Sequence, residues 1–233
     1  AGEMPALLAL LDRAVEAISS ALAEVEDRTL PGSRPGQYAL DLAADDAVGR
    51  VLDGAGVGVL SEESGLRGED HDVVVVVDPV DGSTNAARGL PWFAASLCAV
   101  DGDGPLAAVV VNLATGDRFE AFRGGGARRN RGVIEPSPCG SLSEALVGLS
   151  GAPPQMLGWR QFRALGAAAL DLCSVAAGAL DAYLDCSADA HGVWDYLAAA
   201  LVCTEAGAHI ADAHGRELCV LDPGARKAPI AAG

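Results

Sequence analysis

Positive charge is the first thing this chain is short of. Against 32 aspartates and glutamates it carries 16 lysines and arginines, a formal net charge of −16. A surface of that sign repels polyanions, so nucleic acid is not an expected partner. The same field repels a small anion such as a phosphate ester, unless the site brings its own cations. The six cysteines (Cys98, Cys139, Cys173, Cys186, Cys203 and Cys219) include no CxxC pair, and the four histidines have no HxxxH spacing. Zinc and a disulfide framework are therefore disfavoured. Contexts such as ALDLCSVAAG suit small buried hydrophobes in a reducing cytosol. No apolar run reaches the roughly 18 residues of a membrane span, because even LAAALVCTEAGAHIA is interrupted by Glu205 and Gly207. PALLALLDRAVEAISSALAEV lacks a basic leader and contains Asp12, Arg13 and Glu16, which argues against a signal peptide. The expectation is a soluble, cytoplasmic protein with no membrane partner.

What is present is apolar material, 50% of 233 residues, enough for a core burying roughly 70–75% of the unfolded surface. Leu7, Leu11, Val15, Ile18, Leu22 and Val25 recur at spacings of three and four, predicting an amphipathic helix over residues 5–26 with Pro5 in its first turn. A second helix is predicted over 42–52. GAGVGVL then reads as a short strand running into the acidic turn SEESG. The five valines at 73–77 lack alternation and predict a strand buried on both faces. PWFAASLCAVDGDGPLAAVVVNLATGDRFEAFRGGG reads as an antiparallel meander turning at DGDG and ATGD. RGGGARRNRG is expected to be a Gly/Arg-rich loop. Composition shifts near IEPSPCGS, and beyond it strand-like and helix-like runs alternate: 145–149, 164–177, 182–184, 194–205 and 209–212. That alternation argues for an α/β second half, giving an N-terminal half 1–136 and a C-terminal half 137–233 within one unit.

The stretch VVVVVDPVDGSTN carries the chemistry. Asp78 and Asp81 follow the strand, and two ionised acids in a partly dry cleft repel one another unless a cation lies between them. Pro79 stiffens the turn, so that both carboxylates and the Val80 carbonyl can converge as three hard oxygens suited to Mg²⁺. GSTN then opens a helix whose free N–H groups can receive a phosphate. DPVDG taken alone is equally well an ordinary turn with solvated acids. Glu62 and Glu63 taken alone are a solvated turn, and Asp195 taken alone is a favourable partner of a helix dipole. Rival phosphate sites are excluded by spacing: GxxxxGK[ST] is absent, Asp78 and Asp81 are too far apart for an aspartyl-phosphate pair, and GAGVGV lacks the third glycine of a dinucleotide loop.

Together, SEES, DPVDGSTN and WDYLAAALVCTEAGA, in that order and at these separations, resemble the three signature motifs of the inositol monophosphatase family of magnesium-dependent, lithium-sensitive phosphatases. LDLAADDAV, VVNLATGDRFEAFRGGGARRN and LGAAALDLCSVAAGALDAYLD add weaker likeness, so the resemblance covers nearly the whole chain, which is somewhat short for the family. It implies an α/β (α+β) layered αβαβα sandwich of the inositol monophosphatase and fructose-1,6-bisphosphatase type, assembled as a homodimer. It implies Mg²⁺, two or three ions per site, with Glu62, Asp78, Val80 (through its carbonyl), Asp81 and Asp195 as ligands. Glu62 and Ser83 would orient the attacking water, and Gly82, Ser83 and Thr84 would cradle the phosphate. Glu63 would support the ligands from behind, and Asp45 would serve a weaker, peripheral metal site. The implied chemistry is in-line displacement by a metal-activated water.

On the alcohol side, Gly166, Ala167 and Asp185 occupy the substrate-binding positions. Gly166-Ala167 stands where the family commonly has Gly with Ser or Thr, Asp185 replaces a glutamate, and the loop CSADAHGV is about two residues longer than usual. The implied substrate is a small phosphorylated alcohol, inositol monophosphate first, with histidinol phosphate, fructose 1,6-bisphosphate and a nucleotide-derived 3′-phosphate as alternatives. The last is weakest, because no aromatic cluster offers an adenine pocket. A catalytically silent member with a binding or regulatory role is the reading from another class. His191, in the loop close to Asp195, is expected to be a surface histidine, with a substrate contact as the alternative. Trp194 is expected to be a packing anchor rather than a stacking platform, and Arg128, Arg129 and Arg131 a solvated turn rather than a reach to a second phosphate from a neighbouring subunit.

Overall fold

The computed structural model describes residues 3–233. Helices α1 (Glu3–Glu24) and α2 (Ala39–Leu52) lead into β1 (Gly58–Ser61), β2 (Gly65–Arg67), β3 (Val74–Asp81) and the short α3 (Ser83–Arg88). The meander follows as β4 (Ala94–Asp101), β5 (Gly104–Asn112), β6 (Arg118–Phe122), β7 (Ala127–Arg129) and β8 (Gly132–Val133). The remainder is β9 (Leu146–Ser150), β10 (Gln161–Arg163), α4 (Ala168–Ala176), β11 (Ala182–Asp185), α5 (Val193–Ala206), β12 (His209–Asp212) and β13 (Pro229–Ala232).

Strands 1–8 form one sheet in the order β2-β1-β3-β4-β5-β6-β7-β8, and strands 9–13 a second in the order β10-β9-β11-β13-β12. α1 lays Leu11, Val15, Ile18 and Leu22 against one face of the first sheet, together with Leu40, Val48 and Leu52 of α2. β3 explains its own valine run. Val75 and Val77 face that helix pair, while Val74 and Val76 face α4 and α5 on the other side. Burying a side chain of this size is worth about 1.5–3 kcal/mol, so alternation gives way to continuous apolarity. α5 is apolar all round, as a helix between two sheets must be. From Tyr196 to Cys203 every residue is buried, and the helix packs on β3, β4, β5 and β12.

The layers are thus a helix pair, the eight-stranded sheet, a second helix pair and the five-stranded sheet. This is the expected layered α+β architecture with one difference: among the described residues no helix covers the outer face of the second sheet. The segment 151–160 between β9 and β10 forms no helix; it contains Pro153, Pro154 and two glycines with positive φ, Gly151 and Gly158. A small apolar cluster of Val147, Leu149 and Trp159 lies there instead.

Several expected boundaries move. α2 begins at Ala39 rather than residue 42, because Asp41 accepts the Tyr38 N–H at 2.8 Å and starts the helix early. α4 is shorter than 164–177, since Gly166 has φ +86° and Ala167 is extended. β10 and β13 were not expected at all. The Gly/Arg-rich loop is a hairpin: β7 and β8 pair across Asn130 and Arg131, which take φ values of 49° and 72°. Of its arginines, Arg131 is exposed as expected, whereas Arg129 pairs with Asp117 at 2.5 Å and lies over the Phe119 ring.

Candidate active site

β3 does not end before its acids. Asp78 stays in the ladder opposite Ser96, and pairing resumes at Asp81 opposite Ala94 after an irregularity spanning Pro79 and Val80. Both carboxylates are therefore built into a buried strand, with Asp78 at 1% and Asp81 at 7% exposure. Asp78 Oδ1 accepts the Val80 N–H at 3.0 Å, which closes the turn on itself.

Glu62 arrives from the end of β1, which lies parallel to β3, its N–H reaching the Val77 carbonyl at 3.2 Å. Asp195 arrives from the first turn of α5, where Oδ2 accepts the Gly192 N–H at 2.8 Å. One carboxylate oxygen from each of Glu62, Asp78 and Asp195 lies within 4.8 Å of the others. Burial first, then mutual repulsion, drives these groups toward their neutral forms. Glu62 is pushed up to about 8 and Asp78 is raised well above the usual carboxylate range. Asp195 is raised as well, less so because His191, the Gly192 N–H and Asp78 oppose its burial. Three such acids drawn together with no basic side chain in the cluster form a hard-oxygen donor set that fits a divalent cation.

Asp81 is raised by burial and then by Asp195, with the Ala169 N–H pulling the other way. It lies beside the cluster rather than within it, and its Oδ2 accepts that N–H, at the start of α4, at 2.7 Å. Gly82 follows with φ +82°, a conformation only glycine adopts freely. A Cβ there would sit 3.0 Å from the Ala167 Cβ and from the Gly166 carbonyl oxygen. The structure thus brings Gly82 against Gly166 and Ala167. Asn85 of α3 ties the same segment down, donating to the Leu165 carbonyl at 2.7 Å and the Trp92 carbonyl at 2.8 Å. The N–H groups of Asn85 and Ala86 return to the Gly82 carbonyl, which leaves those of Ser83 and Thr84 outside the helix ladder.

Around this centre lie residues that sequence reasoning did not place. Arg34, in the loop between α1 and α2, donates to the Glu62 carbonyl at 3.2 Å and pairs with Glu63, which also receives Gln37. The Tyr38 hydroxyl approaches Thr84 Oγ1 at 3.5 Å. Asp41 is buried beside Ser83, its pKa pushed up to about 6 by burial against the Tyr38 N–H. The one available signal was the charge balance: an acidic protein handling an anion needs a cation at the site, and RTLPGSRPGQ carries two, Arg28 and Arg34. Asp45 is engaged by the hydroxyls of Ser61 and Ser64. Trp194 is buried in the core between the sheets, with the Arg226 guanidinium 5.2 Å from its ring centre.

Two positions on the alcohol side differ from expectation. Asp185 does not present an open carboxylate: its side chain is fully buried and receives His191 Nδ1 at 2.7 Å, the Ser187 N–H at 2.9 Å and the Ser187 hydroxyl. Burial works to raise its pKa, but these hydrogen bonds outweigh it and hold the carboxyl below its usual value. His191 is not a surface histidine. Its side chain is 12% exposed, because the loop 186–193 folds it under and its backbone pairs with Lys227.

With the fold and the carboxylate cluster in view, the comparisons with known proteins agree. A profile of the inositol monophosphatase family matches residues 53–231. The chain belongs to the inositol monophosphatase family, a family of metal-dependent phosphatases. It is 34% identical over 218 residues to the fructose-1,6-bisphosphatase/inositol-1-monophosphatase of Methanothermobacter thermautotrophicus, covering 83% of this chain and 78% of that one. It is 31% identical over 179 residues to the Nus factor SuhB of Xylella fastidiosa, covering 71% of this chain and 64% of the other. The solved structure of the extragenic suppressor protein SuhB from Bartonella henselae superposes with a TM-score of 0.83 at 29% identity, over 98% of this chain and 94% of that one.

Proposed function

We propose that this protein is a Mg²⁺-dependent phosphomonoesterase acting on a small polyol or sugar-type phosphate, with inositol monophosphate as the leading substrate. The observation that carries the reading is the convergence of Glu62, Asp78 and Asp195, from three distant segments, to within 4.8 Å. These residues would hold the cation, joined by Asp81 and the Val80 carbonyl at a neighbouring position. A divalent ion there supplies neutralisation of the phosphoryl oxygens and a lowered pKa for water.

The chain's own groups do the rest. The N–H groups of Ser83 and Thr84 and the glycine turn at Gly82 receive the phosphate, where the N-terminal end of α3 favours negative charge. Ser83 and Glu62 orient the attacking water, and Asp41, beside the Ser83 hydroxyl, fixes which way that hydroxyl donates. Gly166 and Ala167 pass close to the phosphate loop and border the alcohol. The homodimer and the cytoplasmic location implied by the family resemblance belong to this reading too.

A second reading, a member that binds or regulates without turnover, is favoured by one observation: some of its relatives are named as Nus factors. Phosphate release from inositol monophosphate, fructose 1,6-bisphosphate, histidinol phosphate and a nucleotide 3′-phosphate, with and without Mg²⁺, separates the two. The phosphatase reading expects Mg²⁺-dependent turnover of at least one ester, and no turnover of any would favour the silent member.

A further inference from the structure

We infer that His191, held in place by Asp185, is the group that reads the alcohol of the substrate through its free ring nitrogen, Nε2, and that it selects esters whose alcohol carries a hydroxyl. The inference rests on the phosphatase reading above for the location of the phosphate.

Asp185 ends β11 with its side chain fully buried, and its carboxylate is occupied by Ser187 and by His191 Nδ1 at 2.7 Å. It faces its own loop and is not open to a ligand. His191 caps it. The main chain is pinned by the Lys227 N–H on the His191 carbonyl at 2.9 Å, and the ring is pinned by Asp185, so the remaining nitrogen has a fixed direction. No protein group among the described residues hydrogen-bonds Nε2.

The ring stands among the site's acids. Burial alone would lower its pKa, but the Asp185 hydrogen bond and the nearby carboxylates of Asp195 and Asp81 raise it. Asp171, which holds the Trp92 indole at 2.8 Å, also feels the ring's charge. His191 immediately precedes Gly192, whose N–H bonds Asp195 Oδ2 at 2.8 Å, which puts it on the α5 side of the carboxylate cluster, yet it is not one of the three groups whose oxygens converge there.

Nε2 is not among the buried unpaired side-chain atoms and so reaches solvent; a ligand that covers it without pairing it forfeits that hydrogen bond. With Nδ1 donating to Asp185, Nε2 accepts when the ring is neutral and donates when it is protonated. A hydroxyl can do either, so a polyol satisfies this site at any pH where the enzyme works, whereas a bare alkyl or aryl ester leaves Nε2 unpaired. His191 is a specificity-determining contact on this account and takes no part in the bond breaking.

The test uses His191→Asn and His191→Gln in the full chain. Asparagine keeps an amide N–H at the Nδ1 position for Asp185 but ends short of Nε2, and glutamine reaches the Nε2 position. For His191→Asn, kcat/KM for inositol monophosphate should fall about tenfold, mostly through KM, the worth of one net hydrogen bond. The value for p-nitrophenyl phosphate should hold within about twofold, and His191→Gln should recover part of the loss. Calorimetric titration of metal-loaded protein should show weaker binding of inositol monophosphate and unchanged binding of inorganic phosphate. Equal losses for both esters, or no loss for either with only a lowered melting temperature, would overturn the proposal in favour of a loop-anchoring role. If the wild type turned over neither ester, the phosphatase reading would fail, while the calorimetric comparison would still decide the role of His191.

Discussion

Asp81, at the end of β3, accepts the backbone N–H of Ala169, at the start of α4, at 2.7 Å, a hydrogen bond spanning 88 residues of sequence. It ties the phosphate loop to the helix that borders the alcohol side. Asp81→Asn keeps an amide oxygen for Ala169 and removes the charge. The expected result is a fold and circular dichroism spectrum like the wild type's, with Mg²⁺-dependent phosphate release down by about a hundredfold or more. Near-normal turnover would remove Asp81 from the proposed ligand set.

Asp78→Asn should separate stability from activity. Asp78 is buried among Glu62, Asp81 and Asp195, with burial and then their charges opposing its ionisation. Neutralising it relieves that repulsion, so the metal-free variant should melt above the metal-free wild type. The stabilisation conferred by Mg²⁺ should largely vanish, by the mass-action relation for a ligand that binds the folded state. Thermal melts of both proteins with and without Mg²⁺ check both halves.

The metal-free protein should also lose stability as pH rises. Glu62 is pushed up to about 8 from its ordinary 4.5, chiefly by burial and then by Asp195 and Glu63. Below 4.5 both folded and unfolded chains hold this proton and there is no penalty. Between that value and about 8 the unfolded chain releases the proton while the folded chain keeps it, so stability falls through this window and the loss is complete above it. A cation needs the ionised carboxylate, so the shift in melting temperature on adding Mg²⁺ should grow from about pH 5 to about pH 8. A shift independent of pH would contradict the assignment of Glu62.

Gly166→Ala should be destabilising by about 1–3 kcal/mol. The residue has φ +86°, and a Cβ would approach Asn85 Nδ2 at 3.1 Å, disturbing the side chain that bonds the Leu165 and Trp92 carbonyls. Denaturant titration measures the cost, and a neutral result would show that this segment is looser than its packing implies.

Lithium should inhibit phosphate release at millimolar order, on the strength of the family resemblance. Insensitivity would weaken the detailed match at the metal positions without touching the fold.

Much of the fold was legible in the chain because local pattern reports local burial. The valine run of β3, the spacing of Leu11, Val15, Ile18 and Leu22 in α1 and the DGDG and ATGD turns each reflect a neighbour on a known face. What stayed hidden was long-range or small. β10 has three residues and depends on β9 for its place, and β13 pairs with β11 from far along the chain. Arg131 turns the β7–β8 hairpin at a positive φ that its side-chain chemistry does not announce, beside Asn130, a residue that tolerates that conformation. Arg34 lies in the loop between α1 and α2, whose path only packing determines, so that charge balance asked for a cation at the site but no local pattern said which one reaches Glu62. His191 read as exposed because a polar residue in a Gly- and Ala-rich loop usually is. Its burial comes from a backbone bridge to Lys227 and a carboxylate six residues earlier.

The order of residues by itself determined which segments are apolar on one face or on both, where the turns fall, and that acids and small polar residues follow the most buried strand. Those properties follow from side-chain volume, hydration and backbone freedom, which act over a few residues. Only the tertiary structure decided that Glu62, Asp78 and Asp195 share one point in space while Asp45 and Asp185 spend their charge on neighbouring serines and a histidine. That division depends on how two sheets and two helix pairs pack. A carboxylate's role is set by what reaches it once the chain has closed, and hydrogen bonds and repulsions of that kind join residues that no local pattern connects.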